Sequence, residues 1–92
     1  MTLVVTKHSQ HLAAEDLPAL GEHFTLSSTI KIRGRAMPKG SSVYVHRRLD
    51  GSATITLIQS GVEKKSHNKF FVQTAQWVVS RMDFMRIEPN LS

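Results

Sequence analysis

The sequence has no cysteine among its 92 residues, and this absence removes several classes of protein at once. Without cysteine there is no disulfide framework, no zinc site with thiolate ligands and no thiol nucleophile. No apolar run approaches the roughly 20 residues that a membrane-spanning helix needs. Residues 1–7 lack the basic region and apolar stretch of a secretory signal. Repeats and low-complexity segments are missing too, so we expect one intracellular domain that covers residues 1–92.

Acidic residues are few, and their distribution along the chain is uneven. The chain has 12 lysine and arginine residues against 7 aspartate and glutamate residues, which gives a net charge of +5. Residues 24–49 hold six of these cations and no acid, whereas residues 1–23 carry a net charge of −2 and residues 50–92 one of +1. A solvated surface normally mixes charges of both signs. The central block therefore predicts a surface for nucleic acid or for an acidic protein.

Hydrophobic alternation predicts three strands in the centre of the chain. The three strands cover residues 24–35, 43–49 and 53–59. Residues 36–42 contain proline and glycine and are expected to form a loop. The Asp50-Gly51 pair between the second and third strands is a strong signal for a hairpin turn.

Two helices and a further strand are predicted to flank these three strands. The β-branched run at residues 2–6 predicts a short edge strand, and residues 9–23 predict a helix that Pro18 either interrupts or restarts. A long C-terminal helix is predicted over residues 66–87, because apolar residues recur there in steps of three and four. That apolar stripe consists of Phe71, Ala75, Val78, Met82 and Met85.

The predicted element order, (β)-α-β-β-β-α, indicates an α+β fold. An antiparallel sheet of three to four strands with two helices packed on one face is the economical arrangement for this order. The C-terminal helix needs an apolar surface of its own width on the sheet. Six aliphatic side chains are expected to supply that surface: Ile30, Ile32, Val43, Val45, Ile55 and Leu57.

Strand alternation places the remaining side chains of the three strands on the opposite, open face of the sheet. The candidate binding residues on or beside this face are Lys31, Arg33, Arg35, Tyr44, His46, Arg47 and Arg48. The third strand adds Thr54, Thr56 and Ile58. Lysine and arginine neutralise phosphates, and tyrosine and histidine stack on unpaired bases. Two interpretations remain open: a binding surface, or the ordinary polar face that any exposed sheet needs.

A second cationic cluster, Lys64, Lys65 and Lys69 together with His67, lies at the predicted start of the C-terminal helix. Cations are unfavourable there, because the N-terminus of a helix already carries partial positive charge. The cluster therefore predicts an anion that is shared between the side chains and the free backbone N–H groups. The alternative interpretation is a flexible, solvated lysine loop.

No residue pattern favours catalysis, so we expect a protein that is not an enzyme and that uses no cofactor or metal. Acidic residues are sparse near the cationic block, which argues against a Ser-His-acid triad and against a metal-dependent nuclease. His8 and His11 have the spacing of a metal-binding pair, but the sequence supplies no clear fourth ligand.

The α-β-β-β-α order, with KKSHNK at the start of the second predicted helix, resembles a double-stranded-RNA-binding domain. In that family a KKxxK-type cluster at this position grips phosphates, and Lys64, Lys65 and Lys69 are the matching positions at a different spacing. The residues that follow depart from the family, since Phe70, Phe71 and Trp77 stand in a segment that is rich in alanine there. This resemblance implies an alternative function as a free-standing RNA- or DNA-binding module.

The chain as a whole resembles the small phage-encoded proteins that block bacterial CRISPR–Cas systems, above all the type I-F inhibitors. The likeness consists of the length, the absence of cysteine and the basic strands IKIRGR and VYVHRR. It implies a non-enzymatic inhibitor in the cytoplasm of the host bacterial cell. Such a protein binds a multi-subunit Cas protein–crRNA surveillance complex (Cascade or Csy type), with direct RNA contact as one option, and blocks target DNA. It implies no membrane and no small-molecule substrate.

Overall fold

The structure, a computed structural model, describes residues 10–92, and the edge strand predicted at residues 2–6 lies outside them. The strands are β1 (Gln10–Leu12), β2 (Glu22–Thr25), β3 (Ile30–Ile32), β4 (Arg35–Met37), β5 (Ser42–Arg47), β6 (Ala53–Val62) and β7 (Lys69–Val79). One α-helix, α1 (Arg81–Ile87), follows β7, and two 3₁₀ helices cover Ala14–Leu20 and Glu88–Asn90. The α+β class and the antiparallel sheet are confirmed.

Five strands form the main sheet, in the spatial order β1-β7-β6-β5-β2, and every neighbouring pair in it is antiparallel. The β3–β4 hairpin forms a second sheet of its own. The pairing of β5 with β6 ends where Ser42 meets Ile58. Beyond that point β6 and β7 continue past the end of β5 over residues 59–72, which we call the β6–β7 arm, with β1 paired to its base at Phe71 and Val72. The molecule is accordingly elongated, with principal extents of 44 × 28 × 25 Å.

The hydrophobic core lies between one face of the main sheet, the β3–β4 hairpin and α1. Its buried members are Leu26, Ile32, Met37, Val43, Val45, Ala53, Ile55, Leu57, Ala75, Val79, Phe84 and Ile87. Among the six aliphatic residues predicted for this surface, only Ile30 is partly exposed, and it still packs against the cluster. The inward side of the central strands was therefore predicted correctly from alternation.

The predicted C-terminal helix over residues 66–87 is wrong for most of its length. Lys69–Val79 forms β7, and only Arg81–Ile87 is helical. The segment is rich in aromatic and β-branched side chains, which favour strands. Its alternation is interrupted by a bulge: Leu57 of β6 faces Ala75, whereas the next residue, Ile58, faces Gln73. The extra residue breaks the period of two, so the sequence no longer displays the pattern of a single strand.

The predicted helix over residues 9–23 is also replaced, by β1 and the first 3₁₀ helix. This 3₁₀ helix connects the two edge strands of the main sheet and packs on β5. Its buried residue, Leu17, does not belong to the core cluster, whereas α1 contributes Phe84 and Ile87 to it. The prediction that both helices pack on one face of the sheet is therefore not matched.

Two local interactions fix the ends of the chain's last elements. Ser80 caps α1, because its hydroxyl accepts a hydrogen bond from the Asp83 amide at 3.2 Å. Beyond the second 3₁₀ helix, Ser92 exchanges two backbone hydrogen bonds with Thr25, at 3.0 and 3.1 Å. The last residues of the chain thus lie beside the end of β2.

The predicted Asp50-Gly51 turn joins β5 to β6. A carboxylate oxygen of Asp50 accepts hydrogen bonds from the Ser52 hydroxyl at 2.6 Å and from the Ser52 amide at 2.9 Å. Gly51 adopts a φ of +91°, a conformation that favours glycine. The hydrogen bonds from Ser52, with a smaller contribution from the Arg48 charge, lower the pKa of the Asp50 carboxyl.

The pKa of Asp50 should change when the Ser52 hydroxyl is removed. In Ser52→Ala we expect the pKa of Asp50 to rise toward its ordinary value, because the hydrogen bond from the side chain favours the ionised carboxylate. Because the pKa of Asp50 is lower in the folded than in the unfolded chain, its contribution to stability is full above the unfolded-state pKa and is lost as pH falls through the folded-state pKa. A carboxyl-carbon NMR titration measures this shift, and an unchanged Asp50 midpoint in Ser52→Ala would contradict the assignment.

Gly21, at the end of the first 3₁₀ helix, lies in close contact with the backbone of β5. Its φ is +113°, and a Cβ added there would lie 2.2 Å from the Val45 carbonyl oxygen. We expect Gly21→Ala to destabilise the fold by about 2 kcal/mol or more. Gly40→Ala is the matched control, since its φ is +89° with no atom near the added Cβ, and should cost about 1 kcal/mol. Equal losses in urea unfolding would show that the backbone contact at Gly21 does not matter.

Candidate nucleic-acid interface

The structure does not bring the predicted basic residues together on one sheet face. Lys31, Arg33 and Arg35 belong to the β3–β4 hairpin, because the chain reverses at Arg33-Gly34 instead of continuing along the main sheet. The Arg33 guanidinium donates a hydrogen bond to the Val78 carbonyl at 2.8 Å. The Arg35 guanidinium lies 5.9 Å from the centre of the Trp77 ring. The expectation that these three cations share the open face with Tyr44 is therefore wrong.

Arg47 and Arg48 lie on opposite sides of the main sheet, because neighbouring residues of a strand alternate. Arg47 forms an ion pair with Glu88 at 2.9 Å and lies 5.3 Å from the centre of the Phe84 ring, both beside α1. Arg48 donates a hydrogen bond to the Thr54 hydroxyl at 3.1 Å. Arg47 thus connects the sheet to the C-terminal elements, and its role in partner binding stays a prediction.

The second cationic cluster does not lie at the start of a helix, so the predicted anion site at a helix N-terminus is wrong. Lys64 and Lys65 lie in the loop at the tip of the β6–β7 arm, and Lys69 begins β7. The loop is closed by backbone hydrogen bonds from His67 to Glu63 at 2.8 Å and from Glu63 to Asn68 at 2.9 Å. The two loop lysines are exposed there.

The sheet face opposite the core, which we call the outer face, carries the predicted Tyr44, His46 and Thr56. The register aligns His23, Tyr44, Thr56 and Gln76 in one row across four strands. Thr56 is buried, and its hydroxyl accepts a hydrogen bond from the Gln76 amide at 3.0 Å. His46 lies farther along β5, opposite Thr54. Tyr44 and His46 therefore share a face, as alternation predicts.

A groove forms where β5 begins and β6 continues past it: its aromatic part lies on the outer face, and its cationic part lies along the free edge of β6, toward the β3–β4 hairpin on the core side. We call it the Ser42 groove, because Ser42, Ile58 and Ser60 line both of its parts. The aromatic part has a volume of about 210 Å³ and is lined in addition by His23, Tyr44, Lys69 and Phe71. The cationic part has a volume of about 450 Å³ and is lined in addition by Arg35, Ala36, Pro38, Lys39, Gly40, Ser41, Leu57 and Gln59. Among the described residues, no acidic side chain lines either part.

Cross-strand pairing builds the aromatic part of the groove. His23 and Tyr44 are directly paired between β2 and β5, with ring centres 4.9 Å apart and planes tilted by 44°. The His23 Nε2 atom lies 2.5 Å from the Ser42 hydroxyl oxygen, which holds the imidazole in place. The Lys69 ammonium lies 5.7 Å from the centre of the Phe71 ring. An aromatic, partly buried surface thus lies beside a cation.

Sequence analysis missed three contributors to this groove: His23, Phe71 and Lys39. His23 and Phe71 were assigned to helices, and Lys39 was counted in the cationic block but placed in a loop, outside the candidate binding residues. The two ring residues come together only through the register of β2, β5, β6 and β7. Alternation within residues 69–73 alone would have placed Phe71 beside Lys69 on one face. The positions of His23 and Lys39 have no comparable local signal.

Other kinds of site find little support in the described part of the chain. Residues 10–92 contain no group of three or more histidine, aspartate or glutamate side chains that could hold a metal ion. Neither is any helix in this range long and apolar enough to cross a membrane. Comparison with protein-family models, with curated proteins and with solved structures found no match to this chain. Function is therefore inferred from the side chains themselves.

The surroundings of Arg47 predict that this cation, unlike the loop lysines, contributes to stability. Arg47→Ala removes the ion pair with Glu88 and the contact with the Phe84 ring, so we expect a loss of about 1 kcal/mol. Lys65→Ala is the control, because no contact of this kind holds that side chain in the described residues, and it should stay within about 0.5 kcal/mol of wild type. Urea unfolding measures both values, and equal stabilities would contradict a structural role for Arg47.

Proposed function

We propose that the protein is a non-enzymatic binding protein that docks on a ribonucleoprotein and blocks its interaction with nucleic acid. The partner we propose is the crRNA-guided surveillance complex of a bacterial CRISPR–Cas system, which the whole-chain resemblance implies. The observation that carries the proposal is the acid-free Ser42 groove, with Lys69 at one end and Arg35 and Lys39 at the other. Such a surface suits an anionic partner that also presents aromatic rings.

The charge that the fold leaves unpaired supports an anionic partner. Within residues 10–92, Arg47 and Glu88 form the only ion pair. The remaining lysine and arginine side chains of this range form no ion pair, and Lys64, Lys65 and Lys69 outnumber the one neighbouring acid, Glu63, at the end of the β6–β7 arm. A concentrated charge of one sign attracts an oppositely charged partner over several ångströms and speeds association.

Exposed apolar side chains at the other end of the sheet support a protein component in the partner. Leu49 in the β5–β6 turn is fully exposed, and Met82 and Met85 of α1 are more than half exposed. The turn lies beside the helix, since a Cβ on Gly51 would meet the Arg81 side chain at 2.9 Å. Exposed leucine and methionine side chains are typical of surfaces that bind proteins. The protein therefore offers an apolar end and a cationic groove to one composite partner.

The alternative function, a free-standing RNA- or DNA-binding module, loses one of its supports. The resemblance to a double-stranded-RNA-binding domain depended on a long second helix behind KKSHNK, and that segment is β7. The groove itself remains compatible with a module that binds nucleic acid without a protein partner. The two functions differ in whether the protein component of the complex is needed.

Capture of a purified surveillance complex tests the proposed function. We expect the tagged protein to retain the complex at about 0.1 M salt and to reduce its binding to target DNA. Lys65→Glu should weaken capture several-fold, because it reverses a charge at the end of the arm. Arg86→Glu is the matched control, since it changes the net charge equally on an exposed position of α1, and it should retain capture.

Two outcomes would contradict this function. In the first, no complex is retained and target-DNA binding is undiminished at excess protein. In the second, naked nucleic acid binds to the protein while the complex is not captured, which would favour the free-standing module. Loss of capture with Arg86→Glu as large as with Lys65→Glu would show that overall charge, and not the arm, determines binding.

A further inference from the structure

We propose that the Ser42 groove binds an unpaired segment of nucleic acid, with a base held against Tyr44 and Phe71 and phosphates held by Lys69, Lys39 and Arg35. This inference rests on the proposed function and deepens it, since it names the part of a ribonucleoprotein that enters the groove. The combination of groups carries the argument: Tyr44, Phe71 and Lys69 line the aromatic part on the outer face, and Arg35 and Lys39 line the cationic part around the edge of β6.

The aromatic part supplies the surface on which a base stacks. Tyr44 and Phe71 are both half-buried, so their rings are held in place while one side remains accessible. Ile58 forms an apolar floor between them and is only 5% exposed. Every nucleobase has an apolar π-face, so such a surface accepts bases without reading their identity. The base must first leave its own duplex stack, which favours an unpaired strand.

Hydroxyl groups continue the groove between its aromatic and cationic parts. Ser42 and Ser60 line both parts, and Gln59 lines the cationic part. Two of the nearby hydroxyls are already occupied: Ser41 donates to the Pro38 carbonyl at 2.7 Å, and Ser42 is hydrogen-bonded to the His23 ring, so Ser60 and Gln59 are the groups that can meet a nucleotide. Hydroxyl and amide groups can both donate and accept hydrogen bonds. They suit the sugar and the polar edge of a base, which lie between phosphate and ring in a nucleotide.

Cations line both parts of the groove. Lys69 flanks the aromatic part, while Arg35 and Lys39 line the cationic part. In a single strand the phosphates alternate with bases along the backbone, so a stacked base is flanked by phosphates on both sides. A groove with rings and one cation on the outer face, and two further cations around the strand edge, suits a base together with the phosphates on either side of it. Without an acid among its described lining residues, the groove adds no repulsion to a polyanion.

Fluorescence anisotropy with labelled oligonucleotides tests this inference on the full chain. The probes are a single strand of about 12 nucleotides, as RNA and as DNA, and a blunt duplex of the same length. We expect the single strands to bind, with an affinity that falls steeply with salt, and the duplex to bind more weakly. Tyr44→Ala and Phe71→Ala should each weaken binding roughly tenfold, whereas Tyr44→Phe keeps the ring and should retain it.

Phe70→Ala is the matched control for Phe71→Ala. The two phenylalanines are neighbours in β7 and therefore point to opposite faces of the sheet. The Phe70 ring lies against Gly61 and His11, outside the residues that line the groove. We expect Phe70→Ala to leave single-strand binding unchanged. A loss with Phe70→Ala as large as with Phe71→Ala would overturn the assignment of the stacking surface.

An NMR titration of the wild-type protein tests base stacking on Tyr44 without a ring variant, and so does not depend on whether the variants fold. The chain has a single tyrosine, so isotope-labelled tyrosine gives the ring signals of Tyr44 alone. Stacking of a base should shift these signals during titration of the wild-type protein with the single strand. Unshifted tyrosine signals at saturating oligonucleotide, or no binding of single strands at about 0.1 M salt, would overturn the inference.

The failures of the two proposals are distinguishable. Single strands that bind the groove while the surveillance complex is not captured would refute the proposed function and support the groove assignment. A complex that is captured equally well by wild type, Tyr44→Ala and Phe71→Ala, with no binding of free single strands, would refute the groove assignment alone. The complex would then be held through its protein surface.

Discussion

The antiparallel pairing of β6 with β7 is the interaction on which the rest of the structure depends. One side of this pair supplies Ala53, Ile55, Ala75 and Val79 to the core, against which the β3–β4 hairpin and α1 pack. The other side supplies the floor and one wall of the Ser42 groove. Because the pair extends past the start of β5, it also carries the loop lysines away from the body of the protein. The core, the groove and the charged arm thus all depend on the pairing of β6 with β7.

The sequence predicted the structure correctly where the local hydrophobic pattern matches the pairing of the strands. Residues 43–59 alternate cleanly around an Asp-Gly turn, and β5, the turn and β6 follow that pattern. Residues 66–79 were misassigned, because apolar side chains at irregular spacing fit a helical stripe, and a bulge hides the period of two. Residues 24–35 were taken as one strand, although β2 of the main sheet ends at Thr25, and the residues from Ile30 onward form the β3–β4 hairpin, which reverses at Arg33-Gly34. Local periodicity does not report where a strand changes its partner.

In the candidate site, too, local sequence patterns predicted single residues but not how the strands bring them together. Alternation placed Tyr44 on the face opposite the core, and charge clustering drew attention to Lys69, yet their shared groove depends on register across four strands. The cationic block at residues 24–49 is contiguous in sequence but divided in space among the hairpin, the core side and the outer face. The charge of a sequence segment therefore did not predict where its cations lie on the surface. The groove nevertheless keeps the acid-free character of the central block, because none of its described lining residues is acidic.

The hydrogen bond from Arg33 to the Val78 carbonyl has a consequence for self-association. Among residues 10–92, β1 pairs with β7 along Phe71, Val72 and Gln73, and Val78 lies beyond that stretch, near the end of β7. An outward carbonyl on a sheet edge is the acceptor that a strand from another molecule would use in edge-to-edge aggregation. Here a charged side chain occupies it, and a bulky basic hairpin lies alongside. Arg33, which was first counted as part of a binding surface, thus occupies a backbone acceptor of β7. This hydrogen bond opposes the addition of a strand from another molecule at that position.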